Sequence, residues 1–228
     1  MNPLDWLFPP RCVVCQADGA WLCGPCVKQM YGQRLPQPCQ HGAHVTLCPR
    51  CLPGMTHLLG ARVVGTYGAS LKTAVWALKF HGKRHVAPAL GQLLAEAWQV
   101  PPGIAVDGIV PIPMDTQRQR QRGFNQSALL AAGCARELHI PCWSHALQRT
   151  RIAPPQVGLS ARERHKNVAN LFRCADRTLT QIQGKRILVV DDVLTTGATL
   201  DAAAQALLQA GAAQVWGLVL ARPQIHDR

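Results

Sequence analysis

The stretch Ile187-Leu-Val-Val-Asp-Asp-Val-Leu-Thr-Thr-Gly-Ala-Thr199 constrains the fold of this chain more than any other part of its sequence. Arg186–Val190 is a continuous, β-branched apolar run, the pattern of a strand buried on both faces. Thr199–Ala210 is alanine-rich and is followed by Gly211, which reads as a helix with a glycine stop. A strand, a Thr/Gly turn and a helix in that order put a ligand site at the carboxyl end of a central strand. The helix start offers free N–H groups and a positive dipole end to a dianionic phosphate. Gly197 lets backbone approach the ligand closely, and Thr195, Thr196 and Thr199 add hydroxyl donors. Asp191 and Asp192 carry the wrong charge for a phosphate; they suit the vicinal hydroxyls of a ribose, directly or through Mg²⁺. A lone Asp-Asp pair would read as a helix cap. The whole combination, Asp191, Asp192, Thr195, Thr196, Gly197, Ala198 and Thr199, reads as a cradle for ribose 5-phosphate.

The rest of the chain from about Ala61 follows the same alternation. Arg62–Tyr67 and Val215–Ala221 are strand-like, and Val106–Pro113 is a strand ending at prolines. Helical spacing covers Leu71–Phe80, Val86–Trp98 and Ser127–Leu138, and Ser160–Glu163 matches a capping box opening a helix over Ala161–Val168. The expected fold is therefore α/β, a mostly parallel sheet flanked by helices, over residues 61–228. Apolar content of 48% supports a real core, and 16% charged residues are too few for disorder.

Residues 1–57 differ. Seven of the ten cysteines fall within the first 51 residues. Cys12-x-x-Cys15 and Cys23-x-x-Cys26 are two knuckles whose four thiolates complete a closed tetrahedral zinc site. A second set holds Cys39, Cys48 and Cys51, with His41 or His44 as the candidate fourth ligand. A closed site has no open position for substrate, so this small module reads as structural or partner-binding. Cys134, Cys142 and Cys174 are scattered singly and read as packing residues.

The formal net charge is +12, which implies an anionic partner. Between Arg118 and Arg186 there are 13 Lys+Arg against three acids. A loop carrying Arg118, Arg120 and Arg122 beside Gly123 suits a bidentate clamp on a diphosphate. Phe124 in that loop would alternatively stack a base while the arginines track the phosphates of a single strand. Asn125 and Gln126 would orient a substrate or cap the next helix. Arg149–Ser160 reads as a flap over the substrate; Arg149, Arg151, Arg162, Arg164 and Lys166 extend the positive surface, the last three reading equally as a solvated helix face. Lys79 and Lys83 read as solvated, and none of His81, His85, His139, His145 and His165 reads as a general base. No apolar run approaches the roughly 20 residues needed to span a bilayer, and no leader pattern opens the chain, so a cytoplasmic location without membrane insertion is expected.

The 187–199 segment resembles the 5-phosphoribosyl diphosphate (PRPP) motif of type I phosphoribosyltransferases. Four further features narrow the resemblance to the ComF/GntX-like family: Val110–Pro113 followed by Arg118-x-x-x-Arg122-Gly-Phe-Asn-Gln126; Pro155-Gln156-x-Gly-Leu-Ser160-x-x-x-Arg164-x-x-Asn167; Leu78-Lys-Phe80-x-Gly82; and the N-terminal cysteines. The resemblance implies Mg²⁺-dependent phosphoribosyl transfer with release of diphosphate, Asp191 and Asp192 serving the reaction, and Arg118 and Arg122 at pattern positions. It also implies a link to DNA uptake and natural transformation. The alternative is a non-catalytic factor that binds single-stranded DNA and acts with DNA-uptake proteins.

Overall fold

A computed structural model describes residues 9–32, 39–41, 45–52, 54–100, 103–150 and 171–223. The expected helix over 161–168, most of the flap, Arg151, Arg162, Arg164, Lys166 and His44 lie outside the described residues.

The central sheet has four parallel strands in the order β1-β6-β5-β2. They are β1 (Ala61–Thr66), β2 (Gly108–Pro111), β5 (Arg186–Val193) and β6 (Gln214–Arg222). A small antiparallel pair, β3 (Leu147–Arg149) and β4 (Phe172–Cys174), stands apart from it. The helices are α1 (Gly24–Gly32), α2 (Ala69–Phe80), α3 (Ala87–Gln99), α4 (Thr116–Arg122), α5 (Gln126–Leu138) and α6 (Ala198–Gln209).

Alternation along β5 explains the three layers. Leu188 and Val190 point to one face, where they join α2, α3 and α5 in one core. Ile187 and Val189 point to the other, where α6 and residues 47–58 build a second core. All four side chains are buried, as strict period-two alternation demands of a strand covered on both sides. The cysteine-rich segment contributes to both layers: Cys12, Leu22, Cys26 and Met30 to the first, Leu52, Met55 and Leu58 to the second.

Two local devices fix this packing. A Cβ at Gly91 of α3 would lie 2.7 Å from the Cα of Gly133 in α5, so only glycines let these helices cross so closely. Arg62 of β1 is buried and donates to the carbonyls of Ala97, Trp98 and Val100. It thereby satisfies the last carbonyls of α3, which have no intrahelical partner.

One expected loop is a helix. Arg118–Arg122 belongs to α4, whose start is capped by Asp115: its carboxylate accepts from the backbone N–H of Gln117 and Arg118 at 3.0 and 3.2 Å. Gly123 ends it in the left-handed region at φ 79°.

Candidate functional site

The carboxyl ends of β2 and β5 open into a cleft of about 1390 Å³. Asp191, Asp192 and Thr199 line it from one side, and Arg118, Arg122 and Asn125 from the other, so it collects residues from both motifs. Lys79, Phe80, Ser127 and Arg149 line it as well.

The acidic pair is held from several elements. Ser127 of α5 donates its hydroxyl to Asp191 Oδ1 at 2.7 Å, and the Asp192 backbone N–H donates to the same oxygen at 2.9 Å. Burial, reinforced by the neighbouring charge of Asp192, pushes the Asp191 carboxyl up to about 7. Asp192 is 4% exposed, and its Oδ1 lies 2.7 Å from Lys79 Nζ. Lys79 therefore belongs to the site; the reading of it as a solvated lysine is corrected. Asp192 Oδ2 is buried without a hydrogen-bond partner among the described residues. Such an atom is costly unless something else meets it. Two adjacent carboxylates, one with an unpaired oxygen, are a hard oxygen donor set that fits Mg²⁺ or a ribose hydroxyl.

The turn after β5 has the form the sequence suggests. Gly197 sits at φ 85° and precedes the first residue of α6, Ala198, whose N–H reaches Thr196 Oγ1 at 3.4 Å. Thr195, Thr196 and Thr199 are exposed, and of the three Thr199 lines the cleft. Its underside is closed. A Cβ on Gly197 would meet Met55 Cγ at 2.6 Å, and one on Gly54 would meet the Thr196 carbonyl at 3.8 Å. In the first turn of α6, Asp201 accepts from the His57 backbone N–H at 2.7 Å. His57 Nδ1 lies 2.8 Å from its other carboxylate oxygen, where the Thr56 hydroxyl also donates, at 3.3 Å.

The basic side divides its labour. Asn125 caps α5, accepting from the Ser127 N–H at 3.0 Å, while its own amide donates to the Ile112 carbonyl at 2.9 Å. Arg122 donates to Gln126 Oε1 at 2.6 Å and lies over the Phe80 ring at 5.5 Å. Phe124 is 7% exposed, with the Arg84 guanidinium 4.6 Å above its ring. Its faces are taken by core and cation, so the expectation that it stacks a base is corrected. Among the described residues the exposed aromatics lie one turn apart on α2: Trp76 and Phe80, 47% and 60% exposed, have ring centroids 4.8 Å apart. Next to them a groove of about 900 Å³ runs past Trp21, Lys72, Lys83 and Arg11.

Both cysteine sets converge. The Sγ atoms of Cys12, Cys15, Cys23 and Cys26 lie within 4.8 Å of one another, as do the donor atoms of Cys39, His41, Cys48 and Cys51. A tetrahedral zinc with Zn–S of about 2.3 Å sets its sulfurs roughly 3.8 Å apart. The Cys15–Cys23 and Cys48–Cys51 separations are 3.5 and 3.8 Å, and His41 Nδ1 is 3.5 Å from both Cys48 and Cys51. Both donor sets fit zinc, and among the described residues His41 completes the second. Of the lone cysteines, Cys134 is buried in the first core, while Cys142 and Cys174 are partly buried against the two cores. Among the described residues no helix is long and apolar enough to cross a membrane.

Residues 125–225 match the family model for the phosphoribosyl transferase domain. The chain is 36% identical over 228 residues to the DNA utilization protein YhgH of Escherichia coli K12, spanning 92% of this chain and 96% of that protein. It is 30% identical over 232 residues to competence protein F of Haemophilus influenzae, spanning 94% and 98%. With competence protein ComFC of Bacillus subtilis it shares 31% over 163 residues, 71% of this chain and 63% of that one. With the acidic pair, the glycine turn and the paired cysteine sets in place, these likenesses identify the chain as a member of the ComF/GntX-like family of type I phosphoribosyltransferase-like proteins.

Proposed function

We propose that the cleft binds PRPP with Mg²⁺ and that the protein transfers its phosphoribosyl group to an acceptor. The observation that carries this reading is the unpaired, buried Asp192 Oδ2 beside Asp191, in the same cleft as Thr199 and the cationic α4. The 5-phosphate would rest on the 195–199 turn at the start of α6, and the ribose hydroxyls on Asp191 and Asp192. Arg118 and Arg122 would hold the diphosphate. In transfer, the C1–oxygen bond breaks with its electron pair leaving on the diphosphate, and an acceptor lone pair forms the new bond to C1. Mg²⁺, when bound, neutralises charge on the leaving group. The arginines add to that stabilisation, worth most in a site that excludes water.

Calorimetry with ribose 5-phosphate and with PRPP plus Mg²⁺ tests the binding, with Asp191→Asn/Asp192→Asn as the control. Loss of PRPP during incubation with a panel of bases and amines tests the turnover. Binding without any consumption would remove the catalytic part of the reading and leave a ligand-holding module.

A second reading also has support. The exposed Trp76–Phe80 pair, the cationic groove beside it and the names of the relatives support binding of single-stranded DNA along α2. Affinity for a labelled oligonucleotide that falls steeply with salt would be its signature. Binding that ignores salt, or none, would sink it.

A further inference from the structure

We infer that the second cysteine–histidine site and the phosphate turn form one coupled unit, with Met55 and His57 as the positioning residues between them. The inference rests on reading 195–199 as the phosphate turn.

The connection is short and continuous. Backbone bonds from Cys51 and Leu52 to the Cys48 carbonyl shape the knuckle, and the next one, Met55 to Leu52, turns the chain under the cradle. Met55 is 0% exposed and occupies the space directly beneath Gly197, with Leu52 beside it. Two residues on, His57 and Thr56 grip Asp201, itself 8% exposed, within the first turn of α6. The turn's floor and the first turn of its helix are thus both fastened to the six residues that follow a metal ligand. A segment of this length has no core of its own. A metal at Cys39, His41, Cys48 and Cys51 fits the donor spacing and would fix where those residues lie. Ordering of the turn is then partly prepaid by the metal. By reciprocity, a ligand that orders the turn must hold the metal more tightly. The first site lacks this connection; its Cys12 and Cys26 pack against the opposite core.

The test uses the zinc-loaded full chain. Elemental analysis should find two zinc ions, and Cys51→Ala should retain one. Amide hydrogen exchange of residues 195–201 should rise at least tenfold in Cys51→Ala, and on selective chelation of the second zinc, while the α3–α5 crossing stays unchanged. Ribose 5-phosphate alone should slow transfer of the second zinc to a chromogenic chelator several-fold and leave the first unaffected. Met55→Ala should keep both zinc ions yet lose that protection, and Met55→Leu should restore it. One zinc ion in the wild type, unchanged exchange at 195–201 after the metal is lost, or equal protection in Met55→Ala would each overturn the coupling. Failure of ribose 5-phosphate to bind would instead count against the phosphate reading of the turn, and the exchange measurement still decides the coupling.

Discussion

Lys79 Nζ lies 2.7 Å from Oδ1 of Asp192, so a lysine from α2 is the internal counter-ion of an acidic pair at the end of β5. Breaking a buried pair from one side costs about 3–5 kcal/mol. Because the lysine side chain keeps 20% of its exposure, Lys79→Met should cost less, about 2 kcal/mol. The variant leaves two adjacent carboxylates without a cation, so Mg²⁺ should raise its melting temperature more than that of the wild type. Thermal denaturation with and without Mg²⁺ reads both effects; equal Mg²⁺ responses would mean that the lysine and the metal do not share a site.

Asp191 sets a pH dependence whose sign follows from its raised titration. Its carboxyl keeps its proton to about pH 7 in the folded chain but loses it near the ordinary value of 3.8 when unfolded. Between those values the folded state holds more protons, so this group's contribution to stability is complete below about pH 4 and falls as pH rises through 7. Asp191→Asn removes the titration while still offering an acceptor to Ser127. Urea unfolding across pH 4–8 should show a shallower decline in the variant, which should equal or exceed the wild type in stability at pH 8. A parallel decline in both would refute the assignment.

Gly91→Ala should destabilise the protein despite alanine's better helix propensity. That preference is worth about 1 kcal/mol, whereas forcing an extra carbon into a packed contact costs about 1–3 kcal/mol. Here the obstacle is the backbone of Gly133, which cannot step aside as a side chain would. A lowered denaturation midpoint with an unchanged slope is the expected result. An exposed control such as Gly24→Ala, where an added Cβ meets nothing within 4 Å, should show no such loss.

Phe124 and the α2 aromatics should separate stability from nucleic-acid affinity. Truncating a buried phenylalanine costs about 3–5 kcal/mol, so Phe124→Ala should mainly lower stability. Trp76→Ala and Phe80→Ala should leave the melting curve nearly in place and each weaken oligonucleotide binding by about 1–3 kcal/mol if bases stack there. Anisotropy titrations beside melting curves give both numbers. The reverse pattern would return the stacking role to Phe124.

The residues that were legible in the sequence are those whose signal is local. The strand, acidic pair, glycine turn and helix of 187–199 follow one another directly, and the CxxC pairs announce their own geometry. Lys79 was not legible, because its partner is on a different element and only the packing of α2 against the sheet brings them together. The helix α4 was hidden by its composition: Thr116-Gln-Arg-Gln-Arg-Gln-Arg122 has no apolar stripe to reveal a period. Its caps, Asp115 before it and Gly123 after it, were the available clue. Phe124 looked exposed because it follows the arginine-rich run 118–122, yet α5 begins two residues later and draws the ring inward. The strands β3 and β4, three residues each, are too short to leave a pattern.

The place of β6 has a consequence for biosynthesis. It is the last of the described elements to be made, yet it lies between β1 and β5 rather than at an edge. A nascent chain emerging from the ribosome therefore exposes β1 and β5 with a gap between them until residues 214–222 arrive. The carboxyl ends of β2 and β5 pair directly with each other, but β1 and the helix α2 that follows it and carries Lys79 join them in the sheet only through β6. A message cut short before β6 would yield every residue of the acidic pair and the glycine turn without the strand that ties β1, and with it the Lys79 helix, to β5, together with two unpaired apolar strand edges open to aggregation.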